Sequence, residues 1–339
     1  MKRKPAAYAR AGVDVDLGNS LKDSLPALVR KTHGPRVLGG IGGFGGLFRA
    51  AFPGMKDPVL VASMDGVGTK LKIAVLAGRH ATVGEDLVNH CVNDIAVMGA
   101  RPLFFLDYIG AGKLDPAVFT GVVAGLARAC RNAGCALLGG ETAQMPGLYH
   151  GKDYDLVGCI VGVAGRADIL DGSRVRAGDA LVALPSSGLH TNGYTLARKV
   201  LLGKLKLGVH DRCPGLRGTV AEELLRVHRN YEPALRSVPR RALHAAAHIT
   251  GGGLPDNLPR ALPEGCRAVI VRRSLRVPAL FRLIAEAGNV REEEMFRVFN
   301  MGVGMVLVVA ARDAAKVAES LRGRIIGRVE TGPRGVDFV

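Results

Sequence analysis

The chain has no tryptophan and few other aromatics, 6 Tyr and 10 Phe in 339 residues. Proteins that track single-stranded nucleic acid stack bases on aromatic rings, and this composition offers few. No apolar run approaches the ~20 residues that cross a bilayer; the best, 305–310, reads as a buried strand. Six cysteines (Cys91, Cys130, Cys135, Cys159, Cys213, Cys266) stand apart, with no CxxC pair and no zinc-like spacing. They read as small core residues of a reduced, cytoplasmic protein. Met1-Lys2-Arg3-Lys4 is followed by Asp14 and Asp16 before any hydrophobic segment, so a signal peptide is not expected. The familiar nucleotide signatures are missing as well. No Gly-Lys-Ser/Thr ends a glycine run, and no strand–GxGxxG–helix unit or nucleophile elbow is visible.

Positive charge, by contrast, is abundant: 46 Lys and Arg against 30 Asp and Glu give a net charge of +16. The excess is largely arginine scattered through the C-terminal half, and the only basic run is Lys2-Arg3-Lys4. That distribution favours phosphorylated small molecules on an arginine-rich background, with a non-catalytic RNA-binding protein as the alternative from another class. The length allows two domains, each with its own core.

Glycine is the most informative residue. Residues 39–46 read Gly-Gly-Ile-Gly-Gly-Phe-Gly-Gly, and Met64-Asp65-Gly66-Val67-Gly68-Thr69-Lys70 follows an apolar, strand-like run. Closely spaced glycines let several N–H groups turn toward one anion. An aspartate and a lysine nearby supply a hard oxygen and a cation. A flexible surface loop is the plain alternative for the glycine run alone.

Strands are expected at 59–64, 103–108, 136–138, 156–163, 180–184, 268–271 and 305–310, and helices at 85–98, 116–132, 195–202, 220–228, 278–287 and 292–299. Their alternation predicts two mixed α/β domains. The polar, turn-rich stretch 166–179 marks the boundary, taken as 1–168 and 169–339.

Four further clusters fall at element ends. Asn93-Asp94 lies on the first long helix; Gly139-Gly140-Glu141-Thr142 follows a strand, as does 186–193 with His190 and Asn192; Thr250-Gly251-Gly252-Gly253 forms a second glycine turn. Asp65, Asp94 and Glu141 together suit a magnesium nucleotide, although each acid alone reads more readily as a cap or an ion pair. His190 in its polar turn is a candidate acid, base or hydrogen-bond donor, although taken alone it reads more readily as an ordinary solvated loop histidine. Two glycine cradles, one per half, suggest two phosphorylated ligands meeting in a cleft.

These segments, together with Leu103-Phe104-Phe105-Leu106-Asp107-Tyr108, Met145-Pro146-Gly147, Asn192-Gly193-Tyr194 and 299–305, resemble the aminoimidazole ribonucleotide synthetase (phosphoribosylformylglycinamidine cyclo-ligase) family in order and spacing from about Tyr8 to Val329. The resemblance implies ATP-dependent ring closure of formylglycinamidine ribonucleotide in purine biosynthesis. The formyl amide oxygen is phosphorylated and nitrogen then displaces phosphate. It implies two α/β domains, with N-terminal strands building a β-barrel across a homodimer. Gly42, Gly43, Phe44 and Gly45 would close over ATP, beside Asp65, Thr69, Lys70, Asn93 and Asp94. Asp65, Asp94 and Glu141 would hold Mg²⁺. His190, Asn192 and Lys70 would act on the substrate, and Thr250, Gly251, Gly252 and Gly253 would hold its phosphate. Selenophosphate synthetase and thiamine-phosphate kinase are the nearest rivals. The first is expected to carry a reactive cysteine near the glycine loop, where this chain has none; the second lacks the 103–108 and 145–147 matches.

Overall fold

Residues 58–66 alternate exposed with half-buried side chains, the period-two pattern of a strand with one covered face. A computed structural model, which describes residues 14–38 and 45–339, places this strand at the edge of the first of two main sheets. The chain opens with α1 (Val15–Val29) and a two-stranded ribbon, β1 (Val37–Leu38) and β2 (Leu47–Phe48). Then come β3 (Pro58–Gly66), α2 (Lys70–Ala77), α3 (Ala81–Ala96), β4 (Arg101–Ala111), α4 (Pro116–Ala133), β5 (Ala136–Gln144) and β6 (Tyr154–Gly165). Sheet order is β3-β6-β4-β5, with β4 and β5 parallel and the other pairs antiparallel.

Local chemistry explains the helices that cover this sheet. In α4, Asp115 accepts from the N–H groups of Ala117 and Val118, Pro116 occupies the first turn, and Gly134 ends the helix at φ 68°. Helix α3 buries Leu87, Val88, Cys91, Val92 and Ile95 along one stripe. It starts four residues before the expected Glu85, and Gly84 in that added turn meets α4 closely. A carbon added at Gly84 would lie 2.3 Å from the Val122 carbonyl oxygen, and one at Gly125 would lie 1.9 Å from that of Ala81. Both glycines are there to let two helices touch.

The second half begins with β7 (Ala180–Pro185), followed by α5 (Tyr194–Arg198), α6 (Val220–Leu224), α7 (Glu232–Ser237), β8 (Leu243–His248) and α8 (Gly253–Asn257). It closes with β9 (Cys266–Ile270), α9 (Ala279–Gly288), α10 (Glu292–Val298), β10 (Val303–Val309), α11 (Ala314–Ser320), β11 (Arg324–Thr331) and β12 (Val336–Phe338). Its six strands run in the order β12-β9-β11-β7-β10-β8. The two mixed α/β units expected from the alternation are therefore present.

Two expectations change. Strand β8, Leu-His-Ala-Ala-Ala-His, was not expected, because alanine favours helix. It is extended because it pairs along β10, Met305 opposite His248 through Val309 opposite Leu243, with every side chain buried. The helix expected at 220–228 stops at Leu224, and the chain beyond it runs irregularly into the other domain's surface. The first sheet is open in the single chain: β3 and β5 are its edges, and no closed barrel is formed among the described residues.

Candidate active site between the two sheets

Helix α3 is the seam between the halves. Asn89 Nδ2 donates to the His228 carbonyl at 2.7 Å, and Asn93 Nδ2 donates to that of Arg229 at 2.8 Å. The Tyr231 N–H donates back to Asn93 Oδ1 at 2.7 Å. Asp86 Oδ1 accepts the His228 N–H at 2.7 Å. Asn93 is buried with both ends of its amide engaged by the segment after α6. Fully buried, it ties the two halves together, a structural role in place of the ATP contact expected for it.

Lys70 is corrected for the same reason. Its side chain is fully buried, and the ammonium donates to the carbonyls of His190 (2.9 Å) and Arg226 (2.8 Å) and pairs with Asp86 Oδ2 (2.7 Å). Three donors meet three oxygens, so none faces a phosphate. Burial draws the Lys70 ammonium below its usual pKa and pushes the Asp86 carboxyl above its own, while the mutual charge opposes both shifts. Thr69, one residue earlier, is exposed and its hydroxyl lies 3.0 Å from that of Thr195 in the other half.

His190 is not the solvated loop histidine its polar neighbours suggested. It is buried at φ 60°, where side chains are seldom found, with its ring stacked 3.9 Å from that of His228. Its Nε2 accepts the Ser187 N–H at 3.1 Å, and its Nδ1 has no partner. Burial drives its pKa well below the usual value, so the ring is neutral. Asn192 is half-buried, and its Oδ1 would lie 3.2 Å from a carbon added at Gly251. The 186–193 turn and the Thr250–Gly253 turn therefore meet. Gly252 (φ 89°) and Gly253 (φ 59°) need left-handed backbone, and Asn257 Nδ2 braces the turn through the carbonyls of Gly251 and Gly253 at 2.9 Å each. The Gly253 N–H closes the turn on the Thr250 carbonyl at 3.0 Å, so Gly253 supports this turn and does not present a donor.

The acids divide. Asp65 and Asp94 meet above α3: His90 Nε2 is 2.7 Å from Asp65 Oδ2 and 4.0 Å from Asp94 Oδ2, and His248 Nδ1 is 2.8 Å from Asp94 Oδ1. Ser63 donates to Asp94 Oδ2 at 3.1 Å. Burial by itself raises both carboxyls, but the imidazole bonds and charges outweigh it and hold them below the usual range. Burial likewise depresses His90, and the Asp65 bond with the surrounding acids more than restores it. Glu141 is elsewhere. It sits within β5, not beyond its end, opposite Tyr108, which faces Val157, which faces Gly66. Three strand spacings put it about 14 Å from Gly66. The side-chain alternation also turns it to the face opposite Asp65.

The three acids therefore do not assemble around one ion in the single chain. Mg²⁺ with a nucleotide is usually held by one or two carboxylates, with phosphate oxygens and waters completing the octahedron. Asp65 and Asp94, each hydrogen-bonded to an imidazole, are the two acids placed to supply that pair, and Glu141 is not.

Gly42, Gly43 and Phe44 lie outside the described residues, and Gly45 is exposed just before β2. The histidines His90, His228 and His248 were missed by the sequence reading. One local signal pointed to His90, which stands four residues before Asp94 on the same helix face; His248 lies in a strand the sequence did not predict, and nothing local marks His228.

A glycine-turn site walled by two α/β halves that share a histidine–carboxylate seam defines a class, and family models identify it. They match AIR synthase related protein, N-terminal domain, over residues 50–164 and the C-terminal domain over 176–339. The chain belongs to this family. Among curated relatives, the "Phosphoribosylformylglycinamidine cyclo-ligase" of Citrifermentans bemidjiense is 51% identical over 348 residues, covering 100% of both chains. The protein of the same name from Geobacillus kaustophilus is 50% identical over 338 residues, covering 98% of this chain and 97% of its own. Solved structures share the fold at lower identity. Thiamine-monophosphate kinase from Stenotrophomonas maltophilia has TM-score 0.67 at 22% identity, covering 94% of this chain and 95% of its own. Hydrogenase maturation protein HypE in complex with ATP has TM-score 0.68 at 18% identity, covering 97% and 93%.

Proposed function

We propose that this chain catalyses the ATP-dependent closure of formylglycinamidine ribonucleotide to aminoimidazole ribonucleotide, the reaction in the name its full-length relatives carry. The observation that carries it is end-to-end identity near one half with proteins of that name. The single-chain geometry supports it with a site drawn from both domains, 1–168 for the nucleotide and 169–339 for the substrate phosphate.

An amide oxygen is a poor leaving group until phosphorylated. The protein's task is to align the formyl oxygen with the γ-phosphate, then the amidine-side nitrogen with the activated carbon, without a covalent intermediate. Gly42, Gly43, Phe44 and Gly45 cover the phosphates, and Asp65, Thr69 and Asp94 line the nucleotide side. ATP arrives as its Mg²⁺ complex, so that ion belongs to the substrate. Thr250, Gly251 and Gly252 receive the ribose phosphate, with Asn192 beside them as the group that reaches the substrate. Lys70, Asn93, His190 and Gly253 position these elements from behind.

The chain acts as a homodimer in the cytoplasm. Support for pairing is the outer face of the first sheet, where Leu60 (63% exposed), Met64 (70%) and Leu106 (36%) form an uncovered apolar surface ending at Glu141. Packing that face on a second copy builds the barrel that one chain lacks and brings Glu141 to the subunit boundary. Among the described residues, no helix is long and apolar enough to cross a membrane.

The test is ADP release from the purified chain with MgATP, with and without formylglycinamidine ribonucleotide. Substrate-dependent ADP with one aminoimidazole formed per ADP is the expected result. ATP binding without substrate-dependent ADP overturns the assignment.

A further inference from the structure

We propose that the cavity between the two halves at the far end of α3 is a second, non-catalytic binding site for a small amphipathic oxyanion, one acidic group on a compact ring body. The cavity encloses about 450 Å³, a size that holds a small organic ligand. It is separate from the site already described. It lies at the Leu243 end of β8, and the run of that strand to His248 puts it roughly 17 Å from the histidine seam.

Both halves build it. Ala96 from the end of α3, Val163 from β6, Leu235 from α7 and Leu243 from β8 are all buried and give it apolar walls. The connecting stretch 166–170 closes one side, held by the Leu170 N–H on the Met98 carbonyl at 3.0 Å. Glycines let this stretch lie close. A carbon added at Gly99 would stand 2.5 Å from the Asp168 carbonyl oxygen, and one at Gly165 would stand 2.8 Å from Asp168 Oδ2.

The charged residues decide the sign of the occupant. Arg101, Arg236 and Arg240 stand against Asp168 and Glu232, an excess of one positive charge. Their pairing is loose. Arg236 Nε is 3.5 Å from Glu232 Oε1 and Arg240 Nε is 3.8 Å from Asp168 Oδ1, both longer than a hydrogen bond. Arg101 is exposed and has no ion-pair partner among the described residues. Burial and the neighbouring Arg174 draw the Arg240 guanidinium below its usual pKa, and Asp168 offsets them only in part. An anion beside Arg240 removes that penalty, and a guanidinium fork holds oxyanions through paired N–H donors. Glu232 adds a second demand. Its side chain is 9% exposed, and burial raises its pKa although Arg236 opposes the shift. It accepts from a hydrogen-bond donor on the ligand body, such as an amine or hydroxyl.

The position links this cavity to the seam. Glu232 follows Tyr231, whose N–H holds Asn93, and Ala96 stands one turn beyond Asn93. A ligand here bridges α3 and α7, the two helices through which the halves meet.

The experiment needs neither ATP turnover nor substrate, so its failure leaves the assigned reaction untouched. The purified full-length chain is titrated with anilinonaphthalene sulfonate, which carries one sulfonate, apolar rings and an N–H donor, while fluorescence and stoichiometry are followed. One equivalent should bind, with or without a saturating non-hydrolysable MgATP analogue. The uncharged phenylnaphthylamine should bind about 10-fold more weakly. Arg101→Gln and Arg240→Gln should each weaken the dye about 10-fold, the size of one lost charge-assisted hydrogen bond. Circular dichroism establishes that each variant is folded, and Arg236→Gln replaces Arg240→Gln if that one is not. As competitors, para-aminobenzoate and para-aminophenyl phosphate separate a carboxylate from a phosphate head group. The proposal is overturned if the dye shows no stoichiometric binding, if the MgATP analogue displaces it, or if neither competitor does. It is overturned equally if the uncharged dye binds as tightly or the folded variants bind unchanged.

Discussion

Single residues in this site are decided by how many of their polar atoms are already engaged. Lys70 is the clearest case, since its three donors meet Asp86, the His190 carbonyl and the Arg226 carbonyl. Lys70→Met would leave Asp86 buried without its partner, a change that costs about 3–5 kcal/mol. The expected result is a marked fall in thermal midpoint, followed by circular dichroism. Pairing it with Asp86→Asn should recover much of the loss, because no unpaired charge then remains inside. If Lys70→Met melts like wild type and loses only ATP affinity, the lysine belongs to the phosphates after all. His190 shows the same principle from the other side. The hydroxyls and amide around it in sequence suggest a wet loop, but its ring is buried and stacked on His228, far along the chain.

At the scale of elements, the long amphipathic helices were the most legible. The stripe Leu87, Val88, Cys91, Val92 and Ile95 marks α3, and Asp115, Pro116 and Gly134 bound α4. Close approach between them was not legible, because a glycine reads as a helix weakness until its neighbour is known. Gly125→Ala would drive its new carbon to 1.9 Å from the Ala81 carbonyl oxygen. We expect a loss of about 3 kcal/mol, the upper end for overpacking, since the obstacle is backbone. Gly121→Ala, which stops 3.3 Å from the His80 side chain, should be far milder. Equal melting temperatures for the two variants would contradict the tight crossing. Strand β8 makes the complementary point: its alanines favour helix, and only its partner β10 makes them a strand.

On the scale of the whole molecule, the proposed homodimer would pair through the exposed apolar face of the first sheet. Met64→Glu should convert the dimer to monomer in light scattering at micromolar concentration, with the fold retained by circular dichroism. An unchanged dimer mass would place the interface on another face. Activity should fall with the dimer if Glu141 serves the boundary between subunits.

Local patterning determined the long helices and most of the strands, β8 excepted, and the second glycine turn, because a period of two or 3.6 and a demand for positive φ are written over a few residues. The ordered motifs were specific enough for the family resemblance on their own. Tertiary structure alone decided which acids meet. Asp65 and Asp94 come together while Glu141 stands on the opposite face, because sheet order and register are set by pairings between distant segments. It alone assembled the four-histidine seam, whose members are contributed by residues 90, 190, 228 and 248. Side chains so far apart in sequence share an environment only when two cores have packed against each other, and that packing sets their burial, their charge state and their chemistry.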